Sequence, residues 1–132
     1  MYIIEKTKFG FKFTFVDLIN IEEMKEWVEA LKRALLLAPP EFSVFLDVRM
    51  LKPLESECQE CIRKAESLCK KLGMKRSAII YNNTLIRNQF KWMAQESGVD
   101  EFERRIDASQ VKNWENVGLN WVLEGVDPDS PT

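Results

Sequence analysis

The sequence contains no histidine, and only five glycines are spread among its 132 residues. Without histidine the chain can form neither a Ser-His-Asp triad nor a Cys-His dyad, and it offers no imidazole ligand to a metal ion. The scattered glycines cannot assemble one of the glycine-rich loops that hold phosphate groups. We therefore expect a protein that is not an enzyme and that requires neither a cofactor nor a metal ion.

A long apolar run and a strong charge of either sign are missing as well. The longest apolar stretch, from Ala34 to Pro40, is far shorter than the roughly 20 residues of a membrane-spanning helix. No secretory signal is evident near Met1. Nineteen basic against 21 acidic residues give a formal charge of −2, which lacks the basic footprint of nucleic-acid-binding proteins. We expect a cytoplasmic protein with no transmembrane segment and no nucleic-acid partner.

The remaining composition is that of one globular domain. A chain of 132 residues with 45% hydrophobic and 30% charged residues is long enough and apolar enough to bury a core. No linker or internal repeat divides it, so residues 1–126 are predicted to form a single α/β domain. Residues 127–132 are rich in proline and aspartate and are predicted to form a flexible tail.

Aromatic residues at every second position mark a strand near the N-terminus. Phe11, Phe13 and Phe15 alternate with other residues, which is the period of a strand with one buried face. Because a β-rich segment precedes them, the first 17 residues are predicted to form a hairpin. Asn20 and Glu23 have the spacing of a capping box, so a helix is expected to follow.

The rest of the chain alternates between apolar runs and helical patterns. Strands are predicted at 42–48, 77–81 and 102–106, and helices at 54–72, 84–97 and from Val111 onward. Such alternation is typical of crossover connections between parallel strands. The predicted order is β-β-α-β-α-β-α-β-α, in a single mixed and mostly parallel sheet of the α/β class.

Cys58 and Cys61 form a CxxC motif on the second predicted helix. A redox site, a metal site and simple core packing are the three interpretations. Both cysteines and Cys69 fall on the apolar stripe of that helix, and the glutamates around the motif raise a thiol pKa rather than lower it. The pattern therefore favours core packing, and fast alkylation of Cys58 or Cys61 in the native protein would contradict it.

Asp47 is expected to end the central strand, at the edge where open α/β sheets usually bind ligands. With Glu55 and Glu57 it could form a carboxylate cluster for acid–base chemistry or Mg²⁺ binding. Solvated charges at a strand end and a helix start are the simpler interpretation. Ser56 likewise has two interpretations, as the N-cap of the second helix or as a phosphoacceptor.

The aromatic residues of the third predicted helix divide between two faces. Phe90 and Met93 take the inward face, so Trp92 is expected to be exposed. An exposed tryptophan is typical of a surface that binds a partner or of the lip of an apolar pocket. Under the second interpretation, Phe90 and Trp92 together form the lip.

The element order and the segment from Asp47 to Ser56 resemble the STAS domains of anti-sigma-factor antagonists. In that family a strand ending in Asp leads through a short loop to an Asp-Ser-Ser-Gly-Leu helix start, whose first serine is phosphorylated by a partner kinase. The resemblance implies that Ser56 stands at the phosphoacceptor position and Glu55 at the preceding acid. Glu57 and Cys58 replace the family's Ser-Gly.

The second half is similar to the SpoIIAA-like branch, which has a distant fold relation to the SEC14/CRAL-TRIO lipid carriers. The similarity lies in the strand that ends at Tyr81-Asn82, in Gln89 and Met93 of the next helix, and in the stretch 104–107 before the Trp-bearing last helix. It implies a STAS-like fold.

Two functions follow as expectations. The first is a non-enzymatic regulatory domain that binds a protein partner through a loop containing Asp47, Arg49, Leu54, Glu55 and Ser56. The second is a binding module for a small apolar or lipid-like ligand, with Phe90 and Trp92 at the lip of the pocket. A homodimer is possible under either interpretation, since the polar edge strand and the acidic tail give no sequence signal for or against one.

Overall fold

The computed structural model describes residues 1–130 and has its elements in the order predicted from the sequence. The strands are β1 (Tyr2–Thr7), β2 (Gly10–Asp17), β3 (Phe42–Leu51), β4 (Met74–Tyr81) and β5 (Glu103–Asp107). The α-helices are α1 (Ile21–Leu35), α2 (Ser56–Leu72), α3 (Thr84–Ser97) and α4 (Trp114–Glu124), and a short 3₁₀ turn (Asp100–Phe102) precedes β5.

The strands form one sheet in the order β1-β2-β3-β4-β5. β1 pairs with β2 in antiparallel orientation, as expected of a hairpin, and the pairs from β2 to β5 are all parallel. Each parallel pair is joined by a crossover through a helix. The prediction of a single mixed, mostly parallel sheet is confirmed.

One side of the sheet, called here the three-helix face, is covered by α1, α2 and α3. Alternate side chains of β2, β3 and β4 point into this layer, because successive residues of a strand face opposite sides. The rings of Phe13 and Phe15 pack edge-to-face on Trp27 of α1, with centroids 5.5 and 5.1 Å away. Ile86, Phe90 and other apolar residues of α3 complete this part of the core.

The opposite side, called here the α4 face, has a single helix. Phe45 of β3, Ile80 of β4 and Ile106 of β5 pack there against Trp121 of α4. Gly118 allows the close approach, since a Cβ at that position would lie 2.6 Å from the Phe45 ring. α4 covers only the β3–β5 half of the sheet, and the outward side chains of β2 remain half-exposed.

The helix ends agree with the sequence in part. The side-chain oxygen of Asn20 accepts a hydrogen bond from the amide of Glu23 at 2.9 Å, and Asn83 caps α3 in the same way. Gly73 ends α2 with a φ of 118°, as its position predicted. The prediction of Ser56 as an N-cap is wrong, because Glu55 occupies the cap position and no side chain caps the helix.

Three predicted boundaries are also wrong, and one of them is the start of β4, which lies at Met74 rather than at Ser77. β3 does not stop at Val48: it continues to Leu51, because Met50 and Leu51 still pair with the end of β2 beyond a register shift. The last helix begins at Trp114 rather than at Val111, since the preceding residues form turns.

The segment after α4 returns to the sheet. Nε of Arg104 lies 2.7 Å from a carboxylate oxygen of Asp127, and Asp129 lies 3.7 Å away. These contacts hold the beginning of the predicted tail against β5, and residues 131–132 lie outside the described part of the chain. Among the helices within residues 1–130, none has both the length and the apolar character needed to cross a membrane.

Candidate functional site

The candidate site lies at the end of the sheet where the parallel strands finish, called here the carboxyl pole. Because crossover helices run back from this end, the N-termini of α1, α2 and α3 are gathered there. The β3–α2 connection runs through this pole from Lys52 to Glu55. All the sequence-predicted site residues belong to β3, to this connection or to the neighbouring helices.

The β3–α2 connection is fixed by hydrogen bonds to its backbone. The side chain of Gln89 accepts from the amide of Leu54 at 2.9 Å and donates to its carbonyl at 3.0 Å. Gln59 donates to the same carbonyl at 3.0 Å, and the amide of Lys52 donates to the carbonyl of Asp17 at the end of β2. The connection is therefore held from three sides, and the start of α2 is presented in one orientation.

The hydrogen bonds that Gln59 and Gln89 form with the backbone of Leu54 are called here the clamp, and Ser56 and Trp92 are exposed beside it. Together with Gln59 they line a shallow depression of about 230 Å³. Ser56 is exposed, and Trp92 has 43% of its surface accessible. The prediction that Trp92 points away from the core is in agreement with this position.

Leu54 and Phe90 are not surface residues. Leu54 is buried, because its side chain is part of the core beneath the three-helix face. Phe90 is fully buried on the inward side of α3. The prediction that Phe90 forms the lip of a pocket is wrong, since residue 90 shares the apolar stripe of Ile86 and Met93.

Asp47 and Arg49 belong to the α4 face, whereas Glu55 and Ser56 start a helix on the other side of the sheet. Asp47 is buried rather than solvated, and Arg49 donates to both its carboxylate oxygens at 3.0 and 2.9 Å. The Arg49 guanidinium also stacks over Trp114, 4.0 Å from the ring centroid. The predicted loop set is thus divided, and the carboxylates of Asp47 and Glu55 do not form one cluster.

The ion pair determines the chemistry of the Asp47 group. The hydrogen bonds from Arg49 to Asp47 raise the pKa of the guanidinium, and this one guanidinium occupies both carboxylate oxygens. A carboxylate bound on both oxygens by one guanidinium is poorly suited to act as a general base. This unit positions the end of β3 against α4.

The N-terminus of α2 is more open. α1 and α3 each have an asparagine cap, but the first amides of α2 receive no side-chain acceptor. Glu55, Ser56 and Glu57 are all exposed at this end. A phosphoryl group on Ser56 would meet the positive end of the helix dipole and, at the same time, two neighbouring carboxylates.

Cys58 and Cys69 have the properties of packing residues, whereas Cys61 is half-buried. Cys58 is fully buried, and its thiol donates to the carbonyl of Ile19 at 3.6 Å. Burial, followed by the nearby Cys61 and glutamates, raises the pKa of the Cys58 thiol. Burial raises the pKa of Cys69 to about 12. Thiols in this state are weak nucleophiles, which supports the core-packing interpretation for Cys58 and Cys69.

Sequence reasoning missed a buried acidic cluster between α2 and β5. Glu103 is 2% exposed, and Arg105 donates to it at 2.7 Å and to Asp100 at 2.8 Å. Burial raises the pKa of Glu103 to about 7, while burial and the charge of Glu103 raise the pKa of Glu66 well above its ordinary value. The available signal was the position of Glu66, four residues after Ile62 on the apolar stripe of α2.

A small interior cavity of about 30 Å³ adjoins these carboxylates and is otherwise lined mainly by apolar core residues. Its volume suits one or two water molecules and is far too small for a lipid-like ligand. Within residues 1–130, no group of three or more Cys, Asp or Glu side chains is arranged to hold a metal ion.

Comparison with protein-family models and with curated protein sequences gives no match. Two solved structures, however, superpose over most of the chain. The anti-sigma factor antagonist SpoIIAA in its unphosphorylated form matches with a TM-score of 0.60 and 8% identity, over 88% of this chain and 96% of that chain. The chain has a SpoIIAA-like fold.

A second structure leads to the same fold. An uncharacterized DUF3478-family protein from Shewanella loihica PV-4, described as having a SpoIIAA-like fold, matches with a TM-score of 0.64 and 20% identity. The match covers 92% of each chain. The fold class predicted from the sequence, including its STAS-like character, is therefore confirmed.

Proposed function

We propose that this chain is a non-enzymatic regulatory domain that binds a protein partner at the carboxyl pole. The docking surface consists of the β3–α2 connection from Lys52 to Glu55, the exposed start of α2 at Ser56, and Trp92. The observation that carries the proposal is the shallow depression that Ser56 and Trp92 line together, beside a backbone that two glutamines hold in place.

The physical properties of this surface suit protein recognition. An exposed tryptophan contributes strongly to protein interfaces, because it buries a large area and loses little conformational entropy. The clamp on Leu54 removes a further cost, since the connection is already ordered before a partner arrives. A flat or shallow site of this kind fits a protein surface better than it fits a small substrate.

The fold supports a phosphorylation-controlled form of this role. The matched SpoIIAA structure is of an anti-sigma factor antagonist in its unphosphorylated form. Transferred to this chain as part of the proposal, Ser56 is the phosphoacceptor. A phosphoryl group adds about two negative charges between Glu55 and Glu57, which changes the charge of the docking surface without altering the core beneath it.

The non-enzymatic part of the proposal rests on the side chains available. The Asp47 carboxylate is bound by Arg49, and the buried Cys58 is held as a thiol. Glu55 lies on the other side of the sheet from Asp47, so the two acids cannot act together on one substrate. We therefore assign the carboxyl pole to binding.

Site-specific photocrosslinking tests the location of the surface. A photoreactive phenylalanine is placed at Glu57 or Trp92, and at the matched exposed controls Glu5 on β1 and Glu124 on α4. Expressed in its own cells, the chain is expected to crosslink to the same protein from positions 57 and 92 and not from 5 and 124. Crosslinks that are equal at all four positions, or absent from 57 and 92, would contradict the proposal.

A further inference from the structure

The end of the molecule opposite to the carboxyl pole, called here the amino pole, carries three exposed leucines. Leu36 and Leu37 follow the last turn of α1 and are 83% and 80% accessible, the highest values among the large apolar residues that the structure describes. Leu72, the last residue of α2, is 45% accessible. These three side chains are called here the leucine patch.

The two helix ends that carry the leucine patch are joined. The amide of Phe42 donates to the carbonyl of Gly73 at 3.1 Å, which ties the segment after α1 to the end of α2. Leu36 and Leu72 line one open groove together with Lys32, Leu35 and Leu68. The patch is therefore continuous with the apolar seam between α1 and α2, and it is not a set of isolated leucines.

Basic residues surround the leucine patch. The segments 30–41 and 68–75 contain five basic residues and one acidic residue, although the chain as a whole has a formal charge of −2. Arg33 and Lys71 are exposed and form no ion pair within residues 1–130. The only acid of these segments, Glu41, is itself exposed and lies 3.7 Å from Lys75. Lys32 lies 3.5 Å from Glu29 of the same helix, so the excess positive charge of this end rests on Arg33, Lys70 and Lys71.

Helix stability explains only one half of this composition. Basic residues in the last turn of a helix interact favourably with its dipole, which accounts for Lys32 and Arg33 in α1 and for Lys70 and Lys71 in α2. The dipole gives no reason for two adjacent leucines with four-fifths of their surface in water. The combination of protruding leucines and a basic surround requires a different explanation.

We infer that the amino pole is a docking surface for an anionic lipid bilayer. Leucines at the tip insert among the acyl chains near the headgroups, and the surrounding lysines and arginine attract the negative lipids. Lysine stems can lie along the apolar boundary while their ammonium groups reach the headgroup region. The chain binds such a surface reversibly, as a peripheral protein.

The geometry favours a bilayer over the two other occupants. Leu37 lies beyond the helix ends and outside the groove, so a peptide lying in the groove would leave it uncovered, whereas a broad surface covers all three leucines. A second copy of this chain would bring two positive surfaces together. Because the amino and carboxyl poles lie at opposite ends of the sheet, membrane binding leaves Ser56 and Trp92 accessible.

Flotation with lipid vesicles tests the inference. The full chain is mixed with vesicles of one part phosphatidylserine to two parts phosphatidylcholine, or with phosphatidylcholine alone. We expect binding to the anionic vesicles at least about tenfold stronger than to the neutral ones, and a loss of that binding at about 0.5 M salt.

Two pairs of variants separate the apolar from the charged contribution. Leu36→Ser with Leu37→Ser, and Arg33→Glu with Lys71→Glu, should each weaken binding to anionic vesicles by about tenfold or more. The matched controls lie away from the amino pole: Leu18→Ser with Leu85→Ser, and Lys25→Glu with Lys112→Glu. All eight positions are exposed, so thermal unfolding is expected to show a folded protein in every case.

The inference is supported if both control variants bind the anionic vesicles like the unsubstituted chain and both amino-pole variants lose that binding. No binding to anionic vesicles, or equal losses in amino-pole and control variants, would overturn the inference. A charge variant that loses an acidic protein partner while no vesicle binding exists would also overturn it, because the occupant would then be a protein.

Discussion

The two faces of the sheet differ in how completely they are covered. On the three-helix face, α1, α2 and α3 bury nearly every inward side chain of β2, β3 and β4, whereas α4 covers only the β3–β5 half of the other face. The difference indicates which of the two cores holds the docking surface in place. The helices that carry the docking surface rest on the face with the larger core, and its side chains determine how Ser56 and Trp92 are presented.

The buried carboxylates of the two faces also differ in their hydrogen-bond partners. On the α4 face, the guanidinium of Arg49 donates to both oxygens of a single carboxylate, that of Asp47. On the three-helix side, Glu66, Glu103 and Asp100 lie around the single guanidinium of Arg105, and one oxygen each of Glu66 and Glu103 is buried without a partner. In the first arrangement both carboxylate oxygens accept hydrogen bonds, whereas the second needs a proton to give its unpartnered oxygens a hydrogen bond.

Truncation of one phenylalanine on each face is expected to give the largest difference in unfolding free energy between the two faces. Phe90→Ala removes a fully buried ring from the three-helix face and should lower the free energy of unfolding by about 3–5 kcal/mol. Phe9→Ala removes a half-buried ring beside the α4-face cluster and should cost about 1 kcal/mol. Urea unfolding of both variants measures the difference, and equal losses would contradict the asymmetry.

The buried acids should make stability depend on pH. A carboxyl group whose pKa rises on folding stabilises the fold while it is protonated, so the contribution of Glu103 is complete below its ordinary pKa of 4.5 and is lost as pH rises through about 7. Unfolding free energies at about pH 5.5 and about pH 8 should therefore differ by roughly 2 kcal/mol, with the lower pH more stable.

Glu66→Gln should reduce this pH dependence, because it removes a carboxyl group whose own pKa is raised well above its ordinary value by burial and by the charge of Glu103. Glu96→Gln changes an exposed acid of α3 and is the matched control, for which the full dependence is expected. The stability of the Glu66 variant could instead fall between the two pH values as steeply as that of the control. That result would contradict the conclusion that the buried acids cause the pH dependence.

The smallest effect is expected from the clamp on the β3–α2 connection. Gln89→Ala removes both side-chain hydrogen bonds to the backbone of Leu54 and should cost about 1 kcal/mol, whereas Gln95→Ala at an exposed position of the same helix should cost almost nothing. Hydrogen exchange at the Leu54 amide measures the local consequence. Unchanged protection in the Gln89 variant would show that the connection is rigid for another reason.

The sequence was informative where the interactions are local. The alternation of Phe11, Phe13 and Phe15, the caps at Asn20 and Asn83, and the αL glycine after α2 all depend on residues close in the chain. These features were sufficient for the element order and for the sheet class.

The errors arise where distant residues decide. β3 extends past Val48 because β2 offers it further pairing partners. Ser56 is not the N-cap of α2 because Glu55 occupies that position, next to the Leu54 backbone that two glutamines bind. Glu103 looks like an ordinary polar residue of an edge strand, yet α2 covers it. The division of the predicted site between two faces follows from the same cause, since strand alternation assigns Asp47 and Arg49 to the α4 face.

The most direct test of the account is a comparison of partner binding by three variants. Ser56→Asp places a negative charge at the docking surface, Ser56→Ala removes only the hydroxyl, and Thr84→Asp places the same charge at the exposed start of the neighbouring helix α3. Each is purified from its own cells with its bound proteins, which are quantified by mass spectrometry. The account predicts that Ser56→Asp loses its main partner by at least about tenfold, or about 1.4 kcal/mol, while the other two retain it. Retention of every partner by Ser56→Asp would contradict the central claim.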